Sequence, residues 1–371
     1  MPIDSTIRDL IQRNGYITVE QMMHHVLAAN PGSYYQQQAI LGESGDFITA
    51  PEVSQIFGEI IGIWCVEQWY KLKCPTNISI VELGPGRGLL MRDLLRTVRL
   101  IPEFYNNVNI QLVEINQNFI KLQKENLSKF DINIKWLPTI YEIEDSPTLI
   151  IANEFFDALP IKQYIKLKED WYEIILIVDP HDGKIKFDKI SMHKELQSQL
   201  AQDHINAHDG AVIEESPESL AIIRFIGDHF KKHSGASLII DYGYDIKLPQ
   251  RNRSHYNSTL QAIKKHQYHP LLESLGEADL SAHVDFNALK NTAFAHELTI
   301  DGCISQAEFL IKYGILERAD RLRNNLAIDE KHIIDKQVQR LIAPSQMGNL
   351  FKVLALSSLD TNEVTNASSN R

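Results

Sequence analysis

The most specific chemical pattern in the sequence is a run of alternating glycines directly after an apolar stretch. Residues 78–83, ISIVEL, are followed by residues 84–88, GPGRG. Glycines at such a turn allow the backbone to lie close against a ligand, and the N–H groups of the following helix remain available to it. A dinucleotide fingerprint requires a third glycine where Leu89 stands, and a phosphate-binding P-loop requires a Gly-Lys-Ser/Thr sequence that is missing here. The pattern therefore predicts a loop for a ligand without pyrophosphate, and the alternative is a tight strand-to-helix turn.

An acidic residue stands near the end of the next apolar run, NIQLVEI at residues 109–115. In a doubly wound sheet, an acid at the end of the second strand accepts hydrogen bonds from ribose hydroxyls. Glu114 has this position, and the alternative is a solvated carboxylate at a strand end. Together with the glycine loop, Glu114 favours a ligand that contains a nucleoside.

Two acids, an amide and two aromatic residues follow a third apolar run, in the segment NEFFDALP at residues 153–160. Ligands bind at the carboxyl ends of parallel strands, so Asn153, Glu154 and Asp157 are candidates for substrate chemistry. The arginine guanidinium is planar, stays protonated and is a poor nucleophile. Two carboxylates could hold it and draw its charge away from the reacting nitrogen. The alternative is that Glu154 and Asp157 cap the next element and the phenylalanines belong to the core.

Three further polar residues come from later segments of the chain. Asp241 ends the apolar run of residues 237–243 and is therefore expected at the same sheet edge. His283 could accept a proton or orient a substrate, and a structural histidine is the alternative. Asp285 precedes a predicted helix, so we expect it to be an N-cap.

The elements that must position these residues alternate between strands and helices from about residue 77 onward. This alternation predicts parallel pairing with right-handed crossovers, and therefore a doubly wound α/β sheet. The further predicted elements are helical segments at 5–29, 52–73 and 216–233, a helix from about Asp285, a strand near 297–303 and a last strand in NLFKVLAL.

The predicted domain organisation has three parts. Residues 1–75 form an N-terminal helical lobe that covers the cofactor. Residues 76–357 form the sheet domain, with a β-rich insertion at 161–215 and a helical insertion at 305–342. Residues 358–371, rich in Ser, Asn and Thr, form a disordered tail.

Composition excludes several classes of protein. The chain has 371 residues with 44% hydrophobic and 23% charged residues, and its net charge of −11 has the wrong sign for a nonspecific nucleic-acid binder. The apolar stretch of residues 60–70 contains Glu67 and is too short to cross a membrane. The three cysteines and the N-terminal segment favour a cytoplasmic protein. The histidine pairs His24-His25 and His266/His269 lack a third ligand, so we expect no metal.

In these motifs and others, the sequence resembles the MidA-type methyltransferases, a family that includes the mitochondrial complex I assembly methyltransferase and bacterial relatives. The matching segments extend from about residue 34 to 356. They are GDFITAPEVSQ with FGE at 45–59, VELGPGRG with LM at 81–91, NEFFDALP, IIDYG at 239–243, TLQA at 259–262, GEADLSAHVDF at 276–286 and QMGNLFKV at 346–353.

The resemblance implies a seven-stranded class I fold that uses S-adenosylmethionine to methylate an arginine nitrogen of a protein substrate. In the mitochondrial member the product is a symmetrically dimethylated subunit of respiratory complex I. The residues that the resemblance assigns to the cofactor are Glu82, Gly84, Gly86 and Gly88 for its amino-acid portion, Glu114 for its ribose, and Thr49, Pro51 and Gln55 for the cover over it.

The sequence departs from the family pattern at Asn257-Ser258, His269 and Cys303, all of which lie away from the segments assigned to the cofactor. Two alternatives stay open: a noncatalytic assembly factor with this fold, and a methyltransferase for small-molecule or nucleobase amines. We also consider a homodimer.

Overall fold

The computed structural model describes residues 3–28, 32–36, 49–324 and 327–358. The helices of these residues are α1 (Ile3–Asn14), α2 (Val19–Leu27), α3 (Ala50–Val53), α4 (Gln55–Lys71), α5 (Leu89–Val98), α6 (Pro102–Tyr105), α7 (Gln117–Leu127), α8 (Lys194–Asp203), α9 (Pro217–His233), α10 (Phe286–Ala295), α11 (Gln306–Lys312), α12 (Ile315–Arg323), α13 (Ile328–Ile342) and α14 (Met347–Leu350). The strands are β1 (Ile17–Thr18), β2 (Ile78–Leu83), β3 (Val108–Val113), β4 (Ile134–Leu137), β5 (Thr148–Asn153), β6 (Lys162–Leu167), β7 (Asp170–Val178), β8 (Ile185–Ser191), β9 (Val212–Glu215), β10 (Gly235–Tyr244), β11 (Gln261–Lys264), β12 (Gln267–His269), β13 (Asp279–Ser281), β14 (Val284–Asp285), β15 (Thr299–Ser305) and β16 (Phe351–Ser357).

The chain divides into two compact units. The sheet unit comprises Ile48–Phe156, Ile222–Gly243 and Ala288–Arg371, and the insert unit comprises Met1–Phe47, Asp157–Ala221 and Tyr244–Asn287. Each unit is assembled from three separate segments of the chain.

The sheet unit contains the predicted doubly wound sheet. Its strands lie in the order β15-β16-β10-β5-β2-β3-β4. The pairs from β10 to β4 are parallel, whereas β16 runs antiparallel to both of its neighbours. Leu83 is in register with Val113 and with Ala152, and Asn153 with Ile240, so the carboxyl ends of four strands lie at one edge. The predicted α/β fold class is confirmed.

Helix α4 packs closely against α5 within the sheet unit. A Cβ placed on Gly58 would lie 2.8 Å from Asp93 Cβ, and one placed on Gly62 would lie 2.8 Å from Thr97 Cβ. The absence of side chains at these two glycines allows the helix backbones to approach each other. These two helices belong to the same compact unit, which begins at Ile48. The predicted N-terminal lobe of residues 1–75 and its covering role stay predictions.

The insert unit contains two antiparallel sheets. One has the order β1-β7-β6-β9 with β8 on β7, and the other has the order β12-β11-β13. Strands β6 to β9 lie within the predicted β insertion. The second sheet, between residues 261 and 281, is not among the predicted elements.

The helical segment predicted over residues 5–29 is interrupted by a short strand. Helix α1 ends at Asn14, Gly15 has a φ of +84°, and Ile17 of β1 pairs with Leu176 of β7. The glycine allows the chain to turn out of the helix, and β7 supplies the backbone partners for the short strand.

The other predicted elements correspond to α4, α9, β10, α10, β15, α11 to α13 and β16. Of the predicted tail, residues 359–371 lie outside the described residues, as do residues 45–48 of the first family motif. In the described part of the chain, every helix is too short or too polar to pass through a lipid bilayer.

We predict that Gly58→Ala lowers the free energy of unfolding by about 1–3 kcal/mol, because an added methyl group overpacks the contact between α4 and α5. The clash outweighs the better helix propensity of alanine, which is about 1 kcal/mol. Urea unfolding measures the effect. The control is Gly302→Ala, since a Cβ on Gly302 meets nothing within 4 Å. Equal stability of both variants would contradict the close packing.

Candidate active site

The glycine loop at the end of β2 has a backbone that side chains disfavour. Gly84, Gly86 and Gly88 have φ values of +62°, +50° and +75°, all in the left-handed region. Gly84 N–H donates to the carbonyl of Val113 at 3.1 Å, which ties the loop to the end of β3. The three glycines of the sequence motif are therefore required by the backbone itself.

The side chains of Phe155 and Gln123 pack against the loop from two sides. A Cβ on Gly84 would lie 2.8 Å from Phe155 Cδ2, and one on Gly88 would lie 3.1 Å from Gln123 Cγ. The loop thus has a fixed position between the turn after β5 and helix α7.

Gln123 is a site residue that the sequence analysis missed. Its side chain is fully buried, and its Nε2 donates to the carbonyl of Gly86 at 2.7 Å and to Glu114 Oε2 at 3.3 Å. Its Oε1 accepts from Trp136 Nε1 at 2.8 Å. Gln123 therefore connects the glycine loop to the predicted ribose acid. The sequence did contain a signal for Gln123, because it is a polar residue on the same helix face as the apolar residues Phe119, Ile120 and Leu127.

The two acids at this edge are held in a poorly hydrated environment. Glu82 is 3% exposed, and burial together with the charge of Glu114 raises its pKa to about 8. Burial also raises the pKa of Glu114 to about 7, although the N–H of Asn116 donates to its Oε1 at 2.7 Å. In the described structure Glu82 Oε2 has no hydrogen-bond partner. A positively charged or hydrogen-bond-donating ligand would compensate these carboxylates.

The turn after β5 has an unusual backbone at Glu154, whose φ is +50° although it is not a glycine. Its N–H donates to the carbonyl of Ile240 at 2.9 Å. Its carboxylate oxygen Oε1 accepts from Ala50 N at 2.9 Å and from Asn153 Nδ2 at 3.2 Å. Asn153 Oδ1 is buried without a hydrogen-bond partner in the described structure. The predicted residues Asn153 and Glu154 are therefore in direct contact.

Asp241 holds this turn from β10. Its side chain is fully buried, and its Oδ2 accepts from the N–H groups of Phe155 at 3.2 Å and Phe156 at 3.0 Å. Its Oδ1 accepts from Tyr242 N–H at 3.0 Å. The sequence placed Asp241 at the correct edge, and the structure shows that its carboxylate binds backbone amides.

The predicted covering residues lie at the start of α3 and α4. Thr49 N–H donates to Glu52 Oε2 at 3.3 Å, and Glu52 Oε1 lies 3.6 Å from Arg87 Nη1 of the glycine loop. Pro51 is in α3. Gln55 Oε1 accepts from Arg96 Nη1 at 2.9 Å, so this amide is engaged between helices. The cofactor roles of Thr49, Pro51 and Gln55 stay predictions.

Asp157 and His283 belong to the insert unit. The N–H of Ala282 donates to the backbone carbonyl of Asp157 at 3.0 Å, which joins the two segments that carry them. His283 N–H donates to Thr259 Oγ1 at 2.8 Å, and burial lowers the pKa of the imidazole. Asp285, expected as an N-cap, forms an ion pair with Arg251.

One group of possible metal ligands occurs among the described residues, and it differs from the histidine pairs that the sequence suggested. Ligand atoms of Asp145, His229 and His233 lie within 4.8 Å of one another. His229 Nε2 is already 3.1 Å from Thr148 Oγ1, and Asp145 is largely exposed. We assign no ion to this group, and the predicted absence of metal stays a prediction.

The polar atoms at the carboxyl edge fit S-adenosylmethionine, which carries an ammonium group, ribose hydroxyls and an exocyclic amine as donors. Glu82 Oε2 and Asn153 Oδ1 are buried acceptors without partners in the described structure. The backbone of the glycine loop allows a ligand to approach closely, and Glu114 supplies the carboxylate expected to bind a ribose. These residues could therefore hold the cofactor.

Comparisons with known proteins agree with this geometry. Residues 60–304 match the family model described as "Putative S-adenosyl-L-methionine-dependent methyltransferase". The Xenopus laevis protein named protein arginine methyltransferase NDUFAF7, mitochondrial, is 31% identical over 93% of this chain and 82% of its own length. The Homo sapiens protein of the same name is 30% identical over 96% of this chain and 84% of its own length.

Two solved structures from Burkholderia thailandensis have the same fold, each with a TM-score of 0.83 over 96% of this chain and 92% of the other. One is an uncharacterized protein with 25% identity, and the other has 24% identity and is bound to S-adenosyl-homocysteine. These findings confirm the family resemblance seen in the sequence motifs. The chain belongs to the family of S-adenosyl-L-methionine-dependent methyltransferases.

Proposed function

We propose that this protein transfers methyl groups from S-adenosylmethionine to a guanidinium nitrogen of an arginine in a protein substrate. The observation that carries the proposal is the 31% identity, over 93% of the chain, to a relative named a protein arginine methyltransferase. The net charge of −11 also favours a cationic substrate. Following the family resemblance, the proposed target is a subunit of respiratory complex I or a homologue of it, and the proposed location is the cytoplasm.

When bound, S-adenosylmethionine supplies an electrophilic methyl group on a sulfonium. In our proposal Gly84, Gly86 and Gly88 accommodate its amino-acid portion. The unpartnered Oε2 of Glu82 accepts from its donors, and Glu114 accepts from the ribose hydroxyls. The hydrogen bonds from Gln123 keep the loop and Glu114 in place before the ligand arrives.

The proposed substrate residues are Asn153, Glu154, Asp157 and His283. Glu154 and Asp157 orient the guanidinium by charge, because arginine remains protonated and a planar carboxylate matches its geometry. The fixed carboxylate of Glu154, which accepts from Ala50 N–H and Asn153, supports this role. His283 has a lowered pKa, is therefore neutral near pH 7 and can accept a proton at its ring nitrogen.

Two other functions use the same fold. A noncatalytic assembly factor would bind the cofactor without transferring a methyl group to protein. An amine methyltransferase would label a small molecule instead. Incubation of the purified protein with radiolabelled S-adenosylmethionine and a lysate distinguishes them, because only the proposed function labels protein at arginine.

We predict that Gly86→Val abolishes binding of S-adenosylmethionine, because a branched side chain disfavours φ of +50° and occupies space against the loop. Titration calorimetry measures the binding, and circular dichroism reports whether the fold remains. The matched control is Gly183→Val. Gly183 has a φ of +70° in an open turn, so it carries the same backbone strain away from the loop. If both variants bind S-adenosylmethionine with wild-type affinity, the glycine loop is not part of the cofactor site.

We predict that Glu154→Gln and Asp157→Asn each lower the rate of arginine methylation by about 10²-fold or more, since each removes a preorganised charge. Affinity for S-adenosylmethionine should change much less. Single-turnover rates measure the first effect and calorimetry the second. Glu169→Gln removes an exposed charge and serves as the control.

If Glu154→Gln and Asp157→Asn both methylate arginine at near wild-type rates, these two acids are structural. The role of binding the guanidinium would then belong to another group. Asp241 is excluded by its backbone hydrogen bonds, and Asp285 could take the role only by exchanging its ion pair with Arg251.

A further inference from the structure

Glu214, in strand β9 of the insert unit, holds the segment that precedes β11. Its Oε1 accepts from the backbone N–H groups of Thr259 at 2.9 Å and Leu260 at 3.2 Å, and its Oε2 accepts from the Thr259 hydroxyl at 2.5 Å. Gln163 of β6 is 3% exposed, and its Nε2 donates to the same Oε1 at 2.7 Å. These donors give the carboxylate one fixed orientation.

The Thr259 hydroxyl connects Glu214 to His283. A carboxylate can only accept, so the single hydroxyl proton of Thr259 points at Glu214. The hydroxyl oxygen is then left as an acceptor, and the backbone N–H of His283 donates to it at 2.8 Å. The direction of both hydrogen bonds is therefore set by the carboxylate.

The residue before His283 extends this connection to Asp157. Ala282 is 2% exposed, and its N–H donates to the backbone carbonyl of Asp157 at 3.0 Å. Water cannot easily replace hydrogen bonds at such a buried position, so the loss of one leaves a polar group without a partner. A continuous series of hydrogen bonds and one peptide unit therefore leads from Glu214 to the backbone of both Asp157 and His283.

The charge of Glu214 also acts on the imidazole of His283. Burial lowers the pKa of His283, and the negative charge of Glu214 raises it. The other charged groups of the segments packed here are Asp157, Asp279, Asp285 and the Arg251 that pairs with Asp285. These groups stay in place when Glu214 alone is replaced, so any change in the titration of His283 then comes from Glu214.

We propose that Glu214 is a positioning residue for methyl transfer, which fixes the segment of His283 through Thr259 and the segment of Asp157 through Ala282. This role rests on the proposed function, in which His283 accepts a proton and Asp157 orients the guanidinium. Glu214 itself touches neither the substrate nor the cofactor in that function. The competing possibility is that Glu214 only stabilises the segment before β11.

The imidazole of His283 reports on Glu214 without any methyl transfer. The full chain, labelled with ¹³C in its 14 histidines, is titrated with acid and followed by NMR, and the signal missing in His283→Gln identifies His283. Glu214→Gln removes the charge that raises the pKa of His283, so we expect this pKa to fall by about half a pH unit or more. The matched control is Glu215→Gln, which removes the next carboxylate on the opposite face of β9 and should leave the His283 titration unchanged.

Two threonine variants test the hydrogen bond to His283. Thr259→Val keeps the shape of the side chain but removes the hydroxyl, so we expect the initial rate of labelling of lysate protein to fall at least about tenfold through misplacement of His283. Thr259→Ser keeps the hydroxyl and should restore most of the rate. Both variants should bind S-adenosyl-homocysteine with wild-type affinity, which calorimetry measures.

The pH profile of labelling separates positioning from mere stabilisation. His283 accepts a proton only when it is neutral, so the wild-type rate should rise with pH through the pKa of His283. In Glu214→Gln a lower pKa moves this rise to lower pH, and a weaker base reduces the rate at the plateau. A purely structural role would reduce the plateau and leave the position of the rise unchanged.

An unchanged His283 titration in Glu214→Gln overturns the proposal, and so do equal labelling rates of Thr259→Val and Thr259→Ser. If Glu214→Gln does not fold, the two threonine variants decide. Failure of the proposed function gives a different result, because the wild-type chain then labels no arginine. The NMR titration still shows in that case whether Glu214 acts on His283.

Discussion

The site depends on one buried amide. Gln123 connects the carbonyl of Gly86 to the carboxylate of Glu114, and Trp136 fixes its orientation from the other side. Without these bonds, a loop of three glycines would have many accessible conformations, because glycine loses more backbone entropy on ordering than any other residue. The hydrogen bonds of Gln123 thus fix in advance the loop conformation against which a cofactor can lie.

A second buried side chain does the same for the turn after β5. The carboxylate of Asp241 accepts from the consecutive N–H groups of Phe155 and Phe156, and these bonds compensate a charge that burial would otherwise penalise. They also hold Glu154 at a positive φ, where its carboxylate accepts from Ala50 N–H. Asp241, which has no contact with the substrate in our proposal, therefore positions Glu154, which is proposed to bind the substrate.

The sequence was sufficient to predict the parts that local pattern determines. The alternation of strands and helices predicts the sheet, and the rule that ligands bind at carboxyl ends places Glu82, Glu114 and Glu154 at one edge. Contacts between segments distant in the chain were not predictable. The backbone role of Asp241 and the connection made by Gln123 both require the sheet order, and the break at Gly15 requires β7 as a strand partner.

The measurement that tests this account most directly is the affinity of S-adenosyl-homocysteine for Gln123→Glu, determined by titration calorimetry beside the wild type. Glutamate keeps the length of the side chain, but its carboxylate faces the Gly86 carbonyl and the Glu114 carboxylate, where the amide donated. We expect binding at least about tenfold weaker, equivalent to about 1.4 kcal/mol, with the fold retained. Gln117→Glu, at the exposed first position of α7, should bind normally. Equal affinity of Gln123→Glu and the wild type would contradict the account.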